Sequence, residues 1–155
     1  MPETRVKLLI VDDEVSIRTS LSLIFSELAY CVRSAGDGYS ALLEIQQELP
    51  DILLSDLNMP GMSGFELLWV VRRQFPTIHV IAMSGSLSGT IVPPGVAADA
   101  FFQKGTGPAF LIKTVDTMTR PDAEQLKYST GRSFAASHAA TERVVENVPS
   151  QRSRC

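Results

Sequence analysis

The sequence is sparing with cysteine, tryptophan and excess positive charge, and each shortage removes a class of protein. It holds two cysteines and one tryptophan in 155 residues. Cys31, inside an apolar run, and Cys155 do not make the disulfide framework that holds small secreted domains together. Lys and Arg number 14 against 17 Asp and Glu, a formal net charge of −3, so the cationic footprint of a nucleic-acid binder is missing. An unbroken membrane-length apolar run is missing too. The longest stretch without Asp, Glu, Lys or Arg, Gln74 to Ala98, is interrupted by Pro76, Gly85, Gly89, Pro93, Pro94 and Gly95 and reads as strand plus loop. The opening MPETRVKLLIVDDE returns to charge too soon for a secretory signal. A cytoplasmic protein with no membrane and no direct nucleic-acid partner is expected.

What is present describes a folded chain. Apolar residues make up 45% and charged residues 20%, the balance of a globular domain and not of a disordered one. The acidic bias sits in residues 1–120, with 13 acidic and 9 basic side chains against 4 and 5 in 121–155. One domain over 1–120 and a tail over 121–155 are expected, the tail with a short helix near His138–Glu146 and otherwise mobile.

Along the domain, apolar runs alternate with helical patterns. Val6–Val11, Cys31–Ala35, Asp51–Ser55, Ile78–Met83 and Ala100–Gln103 read as strands. Val15–Leu28 carries Ile17, Leu21, Ile24, Phe25 and Leu28 on one face. A second helix after Gly38 carries Ala41, Leu42, Ile45 and Leu49 and stops at Pro50. Ser63 with Glu66 three residues later is a capping box that predicts a helix over Gly64–Gln74. Thr106–Met118 reads as a last helix with Pro108 in its first turn. Within it Phe110, Leu111, Val115 and Met118 have the spacing of residues packed on a sheet, and Trp69 on the preceding helix reads as half-buried. The order predicts an α/β, doubly wound, five-stranded parallel sheet covered on both faces. One crossover is degenerate: SLSGTIVPPGVAA between the fourth and fifth strands contains adjacent prolines that forbid a helix of normal length.

In such a sheet ligands bind outside the carboxyl ends of the strands. Those ends carry Asp12 and Asp13, Asp56, Ser84 and Lys104. Singly, each has a plainer reading: a helix cap, an Asx turn, a strand-end hydroxyl, a surface lysine. Together they form a chemical set. Converging carboxylates repel and raise one another's pKa, which a hard divalent cation and an ammonium group relieve. Mg²⁺ takes oxygen ligands and bridges carboxylates to phosphate oxygens, while a lysine and a hydroxyl suit a phosphoryl group. His79 and His138 have no partners that suggest phosphotransfer or metal binding.

The motifs LLIVDDE, AYCVRSAGDGYSAL, LLSDLNMPGMSGFELL, VIAMSG and AFFQK make the chain, over about residues 5–118, similar to the receiver domain of two-component response regulators, which has a flavodoxin-like fold. The resemblance implies that Asp56 accepts a phosphoryl group from a histidine kinase, a phosphotransfer protein or a small phosphodonor. It implies Mg²⁺ on the Asp13 and Asp56 side chains and the Asn58 carbonyl, with Asp12 acting through a metal-bound water. Lys104 and Ser84 would contact the phosphoryl oxygens, Phe101 would be the switch aromatic, and Asn58 and Ser86 would tune phosphoryl loss. The chain departs from the family at Gly105, where proline is usual, at Gly85, where alanine is usual, and in the degenerate fourth helix, part of the usual output face.

Nothing in 121–155 resembles an output domain, so the reading is a stand-alone receiver acting on a downstream protein partner or within a phosphorelay. The alternative is an interaction module with a receiver fold that works without phosphorylation. A phosphatase using an aspartyl phosphate is disfavoured, because Leu57 and Asn58 stand where a second catalytic aspartate is needed.

Overall fold

The computed structural model describes residues 4–120; the expectations for the tail fall outside them. Five parallel strands, β1 (Lys7–Val11), β2 (Cys31–Ala35), β3 (Ile52–Asp56), β4 (His79–Ser84) and β5 (Ala100–Gln103), lie in the order β2-β1-β3-β4-β5. Helices α1 (Val15–Glu27), α2 (Gly38–Gln47), α3 (Gly64–Gln74) and α4 (Ala109–Thr119) connect or follow them. No described helix is long and apolar enough to cross a membrane.

The period-two geometry of a strand divides the apolar runs between the two faces of the sheet. Leu9, Val11, Leu53, Val80, Ala82 and Phe101 pack with α2 and α3 on one face. Leu8, Ile10, Ile52, Leu54, Ile81, Met83 and Phe102 pack with Leu21 and Phe25 of α1 and Leu111 and Val115 of α4 on the other. The middles of the central strands are therefore continuously apolar because both faces are covered.

The N-cap half of the capping box forms: Ser63 Oγ accepts from the Glu66 amide at 3.3 Å, and α3 has the expected bounds. Ser63→Ala should cost about 1 kcal/mol, read from the midpoint of urea unfolding with an unchanged denaturant slope.

The last helix differs from expectation. It begins at Ala109 instead of Thr106, with Pro108 as its N-cap, because Gly105 and Gly107 both take φ of 85° and hold the backbone out of the helical region. Leu111 and Val115 are buried and Met118 packs against them, but Phe110 is exposed, one residue off that stripe. Trp69 is also more exposed than its reading, at 57%, with the Arg73 guanidinium 4.7 Å from its ring centroid. His79 is exposed at the first residue of β4, not enclosed in the strand.

Residues 85–99 contain no helix. Val92, Val96, Ala97 and Ala98 of this connection pack on the α2–α3 face where a crossover helix would lie. Asp99 fastens its far end: its carboxylate accepts from the Val80 amide at 2.8 Å and pairs with Arg72 of α3 at 3.0 Å.

Candidate phosphoacceptor and metal site

The strand order reverses direction between β1 and β3, which opens a crevice at their carboxyl ends. Register decides what lines it. Val11 pairs with Ser55, so the next residues, Asp12 and Asp56, stand side by side, while Ser84 pairs with Gln103, directly before Lys104. Asp12, Asp13 and Asp56 each offer a carboxylate oxygen, all within 4.8 Å of one another; Asp13 is exposed, the other two buried. Lys104 Nζ reaches over them, 2.7 Å from Asp12 Oδ2, 3.2 Å from Asp56 Oδ2 and 3.7 Å from Glu14 Oε1.

The plainer readings of the aspartates do not account for this arrangement. Asp12 Oδ1 accepts from the Glu14 amide at 2.9 Å, yet Glu14 is itself the N-cap of α1 and no side chain caps that helix. Asp56 Oδ1 does accept from the Asn58 amide at 3.3 Å, which leaves its other oxygen facing Lys104. Asp12 Oδ2 is completely buried and, despite its ion pair with Lys104, lacks an aligned hydrogen-bond donor. A buried carboxylate oxygen in that condition is costly. Together with a donor set of hard oxygens only, it fits an oxygen-seeking divalent cation such as Mg²⁺.

Electrostatics follow from the geometry. Burial and the adjacent Asp12 charge push the Asp56 carboxyl above the usual carboxylate range, against the opposing pull of Lys104 and the Asn58 amide. Burial disfavours the Lys104 ammonium, but its close contact with Asp12 and the charge of Asp56 outweigh that and hold it above the usual lysine value. The lysine stays charged.

Ser84, fully buried, closes the far side. Its Oγ accepts from the amides of Ser86 and Leu87 at 3.2 and 3.3 Å. Asn58 Nδ2 spans to Ser84 Oγ at 3.4 Å and Ser86 Oγ at 3.2 Å, linking the loop after β3 to the loop after β4. Phe101 is buried among the α2–α3 core residues. All the residues singled out from sequence thus meet at one end of the sheet, except Phe101, which lies within it. Two further contributors had no distinct signal: Glu14 is simply the third acid of the DDE run, and Arg18 reads as a polar position of α1. Arg18 Nη1 donates to the Asp12 carbonyl at 2.6 Å and fixes the backbone beneath the carboxylates.

A doubly wound sheet with acids, hydroxyl and lysine at these strand ends defines a receiver domain, and the chain belongs to that family: the model of the response regulator receiver domain matches residues 8–116. A probable transcriptional regulator ycf27 of Guillardia theta is 31% identical over 145 residues, which cover 92% of this chain and 54% of that protein. The chain spans about half the length of that relative. Among solved structures, chemotaxis protein CheY4 of Vibrio cholerae superposes with a TM-score of 0.67 at 31% identity, over 74% of this chain and 99% of that one. Response regulator TrrA of Thermotoga maritima, solved with Mg²⁺ and BeF, gives a TM-score of 0.67 at 27% identity over 73% of this chain and 98% of that one. Residues 8–116 are thus a response regulator receiver domain.

Proposed function

We propose that Asp56 is the phosphoacceptor and that the protein receives its phosphoryl group from a histidine kinase or a phosphotransfer protein. The observation that carries this is the position of the Asp56 carboxylate: buried at the β1/β3 crevice, beside two further carboxylates, with Lys104 Nζ at 3.2 Å. An Asp56 oxygen attacks phosphorus, the donor's P–N or P–O bond breaks, and an acyl phosphate forms while the leaving group departs with the bonding electrons. Lys104 pairs with the incoming phosphoryl oxygens, exchanging part of its contact with Asp56 for them. Ser84, whose Oγ already accepts two backbone amides, donates its O–H to a phosphoryl oxygen. Asp12, Asp13, Asp56 and Asn58 would hold Mg²⁺, which would supply charge neutralisation when bound. Movement of Ser84 frees room for Phe101 to change rotamer, a local charge event biasing a two-state element. Asn58 and Ser86, already bonded to Ser84, set how fast the acyl phosphate is lost.

The output proposed is binding to a downstream protein partner or passage of the phosphoryl group along a relay, in the cytoplasm and with no catalysis on an external substrate. The deciding experiment is intact-protein mass after incubation with Mg²⁺ and acetyl phosphate or phosphoramidate. One phosphoryl group should be gained, and none by Asp56→Asn or with metal chelated. No gain from either donor overturns the proposal and leaves a phosphorylation-independent binding module, for which partner capture would be equal in wild type and Asp56→Asn.

A further inference from the structure

Lys104 spans to Asp12 Oδ2 at 2.7 Å and to Asp56 Oδ2 at 3.2 Å, yet little braces its stem. The stem passes Gly85, where even an added β-carbon would stand 3.9 Å from Lys104 Cδ. Lys104 also borders an apolar cavity of about 200 Å³ lined by Ile17, Leu21, Phe102 and Gly107. A flexible four-carbon stem with space beside it does not aim its own ammonium group. The backbone that carries it has to.

That backbone is a tight reversal. β5 stops at Gln103, and the Lys104 amide still donates to the Ser84 carbonyl at 3.0 Å. Thr106 Oγ1 then donates to the Gln103 carbonyl at 2.7 Å, closing a turn over Gln103–Thr106. Gly105, the third residue of that turn, has a φ of 85°, the sign and size a type II turn requires there and one that glycine reaches at no steric cost. Space does not explain the glycine, because an added β-carbon would have nothing within 4 Å. Only the sign of φ does. The loop has fixed ends, one at the bond to Ser84 and the other at Leu111 and Val115, buried on α4. A residue that cannot hold positive φ at 105 must open the turn, and Lys104 is the neighbour that absorbs the change.

We propose that Gly105 is a positioning residue of the phosphoacceptor site: its left-handed backbone aims Lys104 across Asp12 and Asp56. The consequence for phosphoryl uptake rests on the assignment of Asp56 as the acceptor; the aiming of Lys104 does not. Proline, the residue usual at this place in the family, holds φ at about −65° and cannot take the observed value. Restoring the usual residue should therefore damage this site.

Two readouts on the full chain test this. Reductive methylation resolved by peptide mass reports how firmly Lys104 is engaged, with the exposed Lys113 as internal reference. Phosphoryl uptake from phosphoramidate with Mg²⁺ reports the consequence. Gly105→Asn, which tolerates positive φ despite its size, should match wild type in both. Gly105→Pro should raise Lys104 labelling relative to Lys113 and slow uptake by up to about a hundredfold, the cost of an ångström of misplacement. Gly107→Ala is the control: its φ is also 85° and its added β-carbon also meets nothing within 4 Å, so it carries the same strain without adjoining Lys104, and Lys104 labelling should not change. Circular dichroism and unfolding midpoints verify that each variant keeps the fold; if Gly105→Pro does not, Gly105→Val, whose branched side chain also resists positive φ, replaces it. Equal Lys104 labelling in wild type and the φ-incompatible variant overturns the proposal, as does an equal rise in Gly107→Ala. A wild type that gains no phosphoryl group, while Lys104 labelling still follows φ at 105, overturns the assignment of Asp56 and upholds the positioning of Lys104.

Discussion

Gly64→Ala is expected to lower stability by about 3 kcal/mol, the upper end of what overpacking costs, and to drop the melting temperature by roughly 10 °C. A β-carbon at Gly64 would lie 1.9 Å from the carbonyl oxygen of Asp56 and 2.5 Å from Leu57 Cα. Both are backbone atoms that cannot rotate away. The same residue closes the loop after β3, its amide donating to the Leu57 carbonyl at 3.1 Å. Relief therefore requires the start of α3 or the end of β3 to move, and the end of β3 is Asp56. Phosphoryl uptake from phosphoramidate should fall along with stability.

Gly38→Ala provides the contrast. Its β-carbon would meet the Met62 side chain, with Sδ at 2.7 Å and Cβ and Cγ at 2.9 Å; the sulfur can swing away, but the Met62 β-carbon moves only with its backbone, so the loop that carries it must give, while alanine favours the first turn of α2 by up to about 1 kcal/mol. The net loss should be about 1–2 kcal/mol, smaller than at Gly64, where the clash is shorter and wholly with backbone. Equal urea midpoints for the two variants would sink the distinction between a backbone and a side-chain neighbour.

The second large effect concerns charge. In chelator, Asp56→Asn should be more stable than wild type by about 1–2 kcal/mol, in the range of a single substitution that removes a named strain, because one of three adjoining carboxylates loses its charge while Lys104 still pairs with Asp12. The sign with pH follows from the raised pKa of Asp56. A group whose folded pKa lies above its unfolded value contributes stability that is present below the unfolded pKa and lost as pH rises through the folded one. The advantage of Asp56→Asn should accordingly be small in acid, grow as pH rises through the upper carboxylate range, and level off near neutrality. Adding Mg²⁺ should reverse the order: at a hundred times its dissociation constant a ligand of the folded state stabilises by about 2.7 kcal/mol, available in full only to wild type. Thermal unfolding with and without Mg²⁺ across that pH range measures both parts, and a wild type unmoved by Mg²⁺ would remove the metal from the site.

Much of this is legible in the sequence. The runs that became β1, β3 and β4 are short and carry three or more consecutive apolar residues, as strands buried on both faces do, and each leads at its carboxyl end into a site residue. The capping box placed α3 to the residue, and adjacent prolines excluded the crossover helix. The last helix was misplaced by three residues because the pattern of Phe110, Leu111, Val115 and Met118 does not register that Gly105 and Gly107 hold positive φ. Phe110 and Trp69 read as packed because hydrophobicity names an apolar residue without naming its flank, and both stand exposed.

The sequence alone determined the fold class, the strand ends that carry the site and the identity of its acids, lysine and hydroxyl, since these depend on periodicity and local backbone chemistry. Tertiary structure alone decided that Lys104 lies nearer Asp12 than Asp56, that Arg18 anchors the Asp12 carbonyl, that Asn58 and Ser86 bridge two loops, and that the flank of α3 is bare. Those contacts join residues from separate strands, helices and loops, and they are set by sheet register and helix packing, which no local pattern encodes.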